Sequence, residues 1–284
     1  MFRSFSAMAL LWVLEIGACV AASTVTMGDI ELTIPAPNGF SPVTPDMVAL
    51  SKALPAFVPP QNREFVSFIP ATAASEALQN DVPDLPRRFS VQTVKGFESR
   101  LITRADFIEL KNTIKTQNEA LTKAVEKQVP GLLNQLNEGF RDSYALETKL
   151  SGINMVPMPP HLESDRMMAY ASIVNYEFAD ENGQAASVAT TATMSFAHLK
   201  GRLLFFYAFG EERDLAWTRD ASQAWVDAIV AANPSDSGTA LKESMPAPLS
   251  GIDWESVAVK AMFGALFGAV IGAVAFIRNR RKQR

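Results

Sequence analysis

Residues 257–277 read VAVKAMFGALFGAVIGAVAFI, and residues 278–284 read RNRRKQR. As a helix rising about 1.5 Å per residue, the first run is roughly 31 Å long, enough for a hydrocarbon core of about 30 Å. Its only charge is Lys260, near one end, where a long stem reaches the interface. Directly behind the run stand Arg278, Arg280, Arg281, Lys282 and Arg284. Cations in that position mark a cytoplasmic end and place everything before them across the membrane. The expectation is a single-pass transmembrane helix over 257–277 with a basic cytoplasmic tail over 278–284.

Gly264, Gly268 and Gly272 fall four residues apart on this run, with Ala261, Ala265, Ala269 and Ala273 beside them. Such a face is a smooth groove on which another helix approaches closely. It predicts packing in the membrane, as a homo-oligomer or with a membrane-protein partner, against the simpler role of an anchor.

The start of the chain agrees with that orientation. Arg3 is a minimal basic region, Ala7 to Leu14 a short apolar core, and Gly17, Ala18, Ala21 and Ala22 a region suited to cleavage. Residues 1–22 are therefore expected to be a signal peptide. Ile16 to Cys19 form a weak lipobox, the alternative in which Cys19 carries a lipid. Cys19 is the only cysteine, so cleavage after it excludes disulfides and thiolate chemistry from the mature chain. The expected setting is the cell (inner) membrane of a bacterial envelope, with residues 23–233 in a periplasmic or extracellular domain.

Charge excludes one class of partner. The chain carries 26 Lys and Arg against 30 Asp and Glu, and several of the cations sit in the tail. The exported part is thus acidic, and binding to nucleic acid is not expected.

Within 23–233 the pattern alternates between two periods. Ile30, Leu32 and Ile34 predict a strand, as do Glu64 to Ile69 and Arg88 to Val94. Thr44, Pro45 and Asp46 predict a helix start, with Met47, Val48, Leu50 and Leu54 on its inner face and a stop at Pro55. Thr103 and Asp106 resemble a capping box, and Phe107, Leu110, Ile114, Leu121 and Val125 continue at helical spacing until Pro130 and Gly131 break it.

From Tyr144 to Gly210 the period is two. Met168 to Phe178 and Val188 to Phe196 give two strands joined by a turn at Asp180 to Gly183, and Lys200 and Gly201 turn the chain into Leu203 to Phe209. That last strand is apolar on both sides, which predicts a central position. A closing helix places Trp217, Ala221, Ala224, Trp225, Ala228, Ile229 and Ala232 on one stripe. Residues 234–256 have no period and predict a flexible linker. The expected class is α+β: an antiparallel sheet with packed helices, then a tether and one C-terminal transmembrane helix. The domain 23–233 is expected to fold alone, with Trp225 buried on the sheet.

The turn at Pro37, Asn38, Gly39 and Phe40, the Gly201 hairpin before an aromatic strand, and Trp225 with Ile229 on the closing helix resemble the Mog1/PsbP-like α/β/α sandwich. The likeness covers roughly residues 30–233. The long helix from Arg104 and the stretch around Pro130 depart from the compact form. The resemblance implies a small binding or assembly module and no catalytic set.

Candidate chemistry is sparse. Nucleophile elbows, P-loops, HExxH, paired CxxC and dinucleotide fingerprints do not occur. No catalytic, cofactor-binding or metal residues are assigned, and no cofactor is expected. His161, Glu163 and Asp165 alternate and would share one side of a strand, as a cation site or as a solvated edge. His198 beside Lys200 is expected at the surface near the turn. Glu211, Glu212 and Asp214 fit favourable charge at a helix start. Phe205, Phe206, Tyr207 and Phe209 would line either a ligand pocket or the core.

Two functions are left: a membrane-anchored exported domain acting as a non-enzymatic binding or assembly module, or an enzyme or small-ligand receptor with a loop-built site.

Overall fold

The computed structural model describes residues 22–144, 149–179, 185–234 and 251–282. The expected signal peptide up to Ala21, with Cys19, lies outside the described residues, as do the turn at Asp180 to Gly183, most of the linker and Arg284; Ala22, its last expected residue, begins the first strand.

Among the described residues, ten strands form two sheets. β1 (Ala22–Met27) and β2 (Ile30–Pro35) make a separate hairpin. The others are β3 (Phe40–Pro42), β4 (Asn62–Pro70), β5 (Arg88–Val94), β6 (Lys149–Pro157), β7 (Leu162–Glu163), β8 (Met167–Ala179), β9 (Ala185–Leu199) and β10 (Arg202–Glu211). Their order is β3-β4-β5-β10-β9-β8-β6, with β7 also on β8. Every pairing is antiparallel. β10 is central, as its two apolar faces require. The β9–β10 turn holds Lys200 at φ 47° and Gly201 at φ 74°, both in the left-handed region. A primed two-residue turn of this kind matches the twist of the strands it joins.

Alternation along β10 divides the core. Leu204, Phe206 and Ala208 face one side, with Phe68, Phe89 and Val91. Leu203, Phe205, Tyr207 and Phe209 face the other. The first side is closed by the β1–β2 hairpin and by α4 (Leu215–Ala232). Trp225 sits there edge-on to Phe68, Phe89 and Phe206, with ring centroids 5.0–5.6 Å apart. Its indole N–H donates to the Pro35 carbonyl at 2.8 Å, and Asn233 bridges both backbone polar groups of Thr33.

The buried stripe of α4 is rotated from the predicted one. Thr218, Ser222, Trp225, Val226 and Ile229 are buried, while Ala224 and Ala228 are exposed. The Thr218 and Ser222 hydroxyls each lie 2.9 Å from a partner on β9, Thr193 and Ser195. Paired hydroxyls satisfy one another and enter a helix–sheet interface at little cost.

Three further helices pack on the other side or at its rim: α1 (Val48–Ala53), α2 (Ala74–Leu78) and α3 (Arg104–Tyr144). α1 starts after Met47, later than Thr44 to Asp46 predict, and Val48 faces solvent. A 3₁₀ turn, Leu54–Phe57, carries the chain through Pro55. The Thr103–Asp106 box is formed, each residue's side chain accepting from the other's backbone N–H. The predicted break at Pro130 is displaced: α3 runs through it, and the non-helical residue is Gln117, φ −119° and ψ 17°. Pro130 is exposed, as is Glu126, whose carbonyl the missing N–H leaves to water. The last described element is α5 (Trp254–Lys282).

Candidate functional site

The candidate site is the contact between α5 and the sheet. Over Trp254–Ile277 this helix is long and apolar enough to cross a membrane, and so fits integral membrane association by length and composition. In the fold, 94% of its most apolar window is buried. It lies across β5, β10, β9 and β8, with α3 along its flank. An all-round apolar surface suits a helix enclosed on all sides as well as one in lipid.

The glycine face meets aromatic rings of the chain's own sheet. A Cβ on Gly264 would stand 2.2 Å from the Tyr207 hydroxyl oxygen, and one on Gly268 2.1 Å from Cζ of Phe209. Gly272 is looser, its nearest neighbour being the Pro86 carbonyl at 3.7 Å. Tyr207 and Phe209 stack almost parallel, centroids 5.7 Å apart at 9°, so the two glycines sit over one continuous aromatic surface.

Polar side chains from four strands reach backbone carbonyls of α5. Asn62 Nδ2 donates to Lys260 at 3.1 Å, and the Tyr207 hydroxyl to Ala261 at 2.9 Å. The Tyr176 hydroxyl donates to Leu266 at 2.5 Å, and Arg88 Nη2 to Gly268 at 3.4 Å. Burial pushes both tyrosine hydroxyls well above their ordinary pKa, which keeps them protonated as donors. Arg88 is 1% exposed and lies 4.7 Å over the Phe209 ring. Its partner is Glu64, at 3.4 Å from Nη1, and the same Glu64 oxygen accepts from Ser67 at 2.8 Å and Ser90 at 2.6 Å. Gln92 links Ser90 to Asn62, each at 3.1 Å. The result is a connected polar strip beneath an apolar helix.

These residues were not singled out by motif, yet β5 carries the signal. Arg88, Ser90 and Gln92 alternate with Phe89 and Val91, a pattern normally read as a solvated face opposite a buried one. Here the polar face is turned to α5, and every residue of β5 is buried.

The sequence-predicted candidates are placed elsewhere. Lys115 Nζ lies 3.0 Å and Lys111 Nζ 3.3 Å from Glu163, while Asp165 pairs with Arg104. The hydrogen bond from Lys115 holds Glu163 below the usual carboxylate range. His161 is held low, first by burial and then by Arg219. His198, expected at the surface, is buried: its ring stacks on Phe107 at 5.7 Å and Nε2 lies 2.7 Å from the Ile102 carbonyl. Glu211 and Asp214, expected only as favourable charge at a helix start, form a capping box on the 3₁₀ turn Glu212–Asp214 that leads into α4. Arg87 bridges both Asp214 oxygens at 2.6 and 3.1 Å and covers Trp217 at 4.3 Å. Phe205, Phe206, Tyr207 and Phe209 are core residues, Phe206 on the α4 side and the rest on the α5 side.

Arg278, Arg280, Arg281 and Lys282 continue the helical backbone of α5. A groove of about 450 Å³ between α3 and the start of α5 is lined by Leu121, Ala124, Gln128, Val259 and Phe263. Among the described residues, no group of three or more His, Cys, Asp and Glu is placed to hold a metal ion.

No protein-family model matches the chain, and none of the curated proteins compared with it matches.

Proposed function

We propose that this chain is a non-enzymatic binding or assembly module of the cell envelope, held at the membrane by its C-terminal segment. In this reading the folded domain is periplasmic and the basic tail cytoplasmic. The observation that carries it is α5: no charge interrupts residues 261–277, and five cations follow at once. The binding role rests on how the polar residues are used. Glu64, Arg88, Asp214 and His198 each hold two structural elements together, and none is grouped with a nucleophile in an open cleft. An antiparallel sheet with α4 on one side and α3 on the other is in keeping with the likeness to Mog1/PsbP-like domains, whose members are mostly binding or assembly modules.

Burial of α5 favours a second reading, in which the helix is a fixed core element of a domain that stays in water. Membrane fractionation of the full chain separates the two. Retention in the pellet through high-salt and alkaline carbonate washes supports the envelope reading. Release of the intact, folded chain by buffer alone supports the second.

A further inference from the structure

We propose that α5 exchanges between two hosts, the sheet and a lipid bilayer, and that the polar strip beneath it is what allows the exchange. This rests on the membrane reading above and adds to it a docked state. Three observations carry it. The helix is apolar enough for lipid and yet almost wholly enclosed by protein. It is the last described element and contributes no strand, so its departure leaves all sheet pairings intact. The third is the chemistry of the face it covers. Asn62, Glu64, Arg88, Ser90, Gln92, Tyr176 and Tyr207 form the strip, whereas under α4 the equivalent positions of β5 are Phe89 and Val91.

The energetics follow from that asymmetry. Backbone carbonyls inside a helix already accept from the next turn, so the sheet donors add directional contacts that α5 can lose without unwinding. Freed donors return to water, and the Arg88–Glu64 pair regains the hydration that burial removes, which offsets part of the cost of exposing Phe205, Tyr207 and Phe209. The helix moves between two environments of similar polarity, because lipid chains are as apolar as a protein core. Gly264 and Gly268 set the docked state: they admit the helix to contact with Tyr207 and Phe209, and a Cβ there would force the helix or the rings to shift. Gly272 makes no such close contact.

That difference gives a matched test. Purified full chain, the variant Gly264→Ala/Gly268→Ala and the variant Gly272→Ala are mixed with vesicles of phosphatidylcholine and phosphatidylglycerol and floated at about 1 M salt. The Debye length there is about 3 Å, so binding through the tail cations alone is stripped. Each changed position adds one methyl, which by itself raises lipid affinity about fourfold, so the double variant is compared with Gly272→Ala beyond that allowance. The expected result is a bound-to-free ratio for the double variant more than about tenfold above that of Gly272→Ala, against the roughly fourfold that its extra methyl supplies, with the Trp225 indole N–H resonance of the lipid-free protein unchanged as a mark of the intact α4 side. A ratio for the double variant no more than about fourfold above that of Gly272→Ala overturns the exchange while leaving membrane association standing. Loss of the Trp225 signal in the double variant also overturns it, since α5 is then inseparable from the domain. If no protein floats at any salt concentration, both the exchange and the membrane reading are overturned.

Discussion

The hydroxyl of Tyr207 donates to the carbonyl of Ala261 at 2.9 Å, and the same oxygen occupies the space that a Cβ on Gly264 would need. One contact thus explains both a buried phenol and a glycine in a helix that otherwise reads as lipid-facing. It is the centre of a dock in which four side chains from the sheet fix the position of α5 along its axis.

Tyr207→Phe removes this donor while keeping the ring and its stack on Phe209. A single neutral hydrogen bond contributes about 1 kcal/mol, and the Ala261 carbonyl keeps its helical partner, so the expected loss in a urea melt is near that value. Gly264→Ala should cost more, because its Cβ would stand 2.2 Å from the Tyr207 oxygen and 2.6 Å from Cζ, so that helix or ring must shift. A larger loss for Tyr207→Phe than for Gly264→Ala contradicts the dock.

A chain ending at Asn233 lacks α5. It should retain the sheet, the β1–β2 hairpin and the Trp225 environment, because these form the opposite core. The uncovered face carries Phe205, Tyr207 and Phe209, a contiguous aromatic patch of the kind that drives association. The expected observations are native-like far-UV circular dichroism, strong binding of an apolar dye and self-association on a sizing column. A monomer that ignores the dye shows that α5 is dispensable to the domain.

Trp225 is the anchor of the other core. Its replacement by Ala leaves a cavity among Phe68, Phe89 and Phe206 and frees the Pro35 carbonyl. The expected cost in a thermal or urea melt is about 3 to 5 kcal/mol. A change below about 1 kcal/mol places α4 elsewhere.

The β8–β9–β10 meander and the central position of β10 were legible because β10 is apolar on both faces and its hairpin turn is spelled by Lys200 and Gly201. The capping box at Thr103 was equally plain, since its chemistry is local. What local pattern could not supply was the destination of α5. An apolar helix enclosed by protein and one enclosed by lipid have the same composition, and only the register between Gly264, Gly268 and the Tyr207–Phe209 stack distinguishes them. The polar face of β5 carries no local sign of its burial: Arg88, Ser90 and Gln92 have the spacing of a wet face, and the Gly268 carbonyl that Arg88 reaches lies 180 residues later in the chain. The rotation of α4 escaped because Thr218 and Ser222 look polar until Thr193 and Ser195 are opposite them.

The ion pair of Arg87 with Asp214 gives a pH signature. Burial raises the Asp214 carboxyl, but hydrogen bonds from Arg87 and the Glu211 backbone, with the charges of Arg87 and Arg213, outweigh it and hold the group below its ordinary value. A depressed carboxyl adds stability that is present above the unfolded value, near pH 4, and lost as pH falls through the folded one. Asp214→Asn should therefore be less stable than wild type at pH 7, with the gap constant to about pH 5 and closing below about pH 4. A gap that widens in acid contradicts the pairing.

The position of α5 is tested most directly by a nuclear Overhauser contact in the full chain, free of lipid and detergent. With Phe and Gly protonated in a deuterated background, the docked helix predicts a cross-peak between the Phe209 ring protons and the Gly268 Hα protons, lost in Phe209→Leu. Absence of that peak in the folded wild-type chain, with the Gly268 resonance instead at a solvent- or self-association-dependent position, contradicts the account.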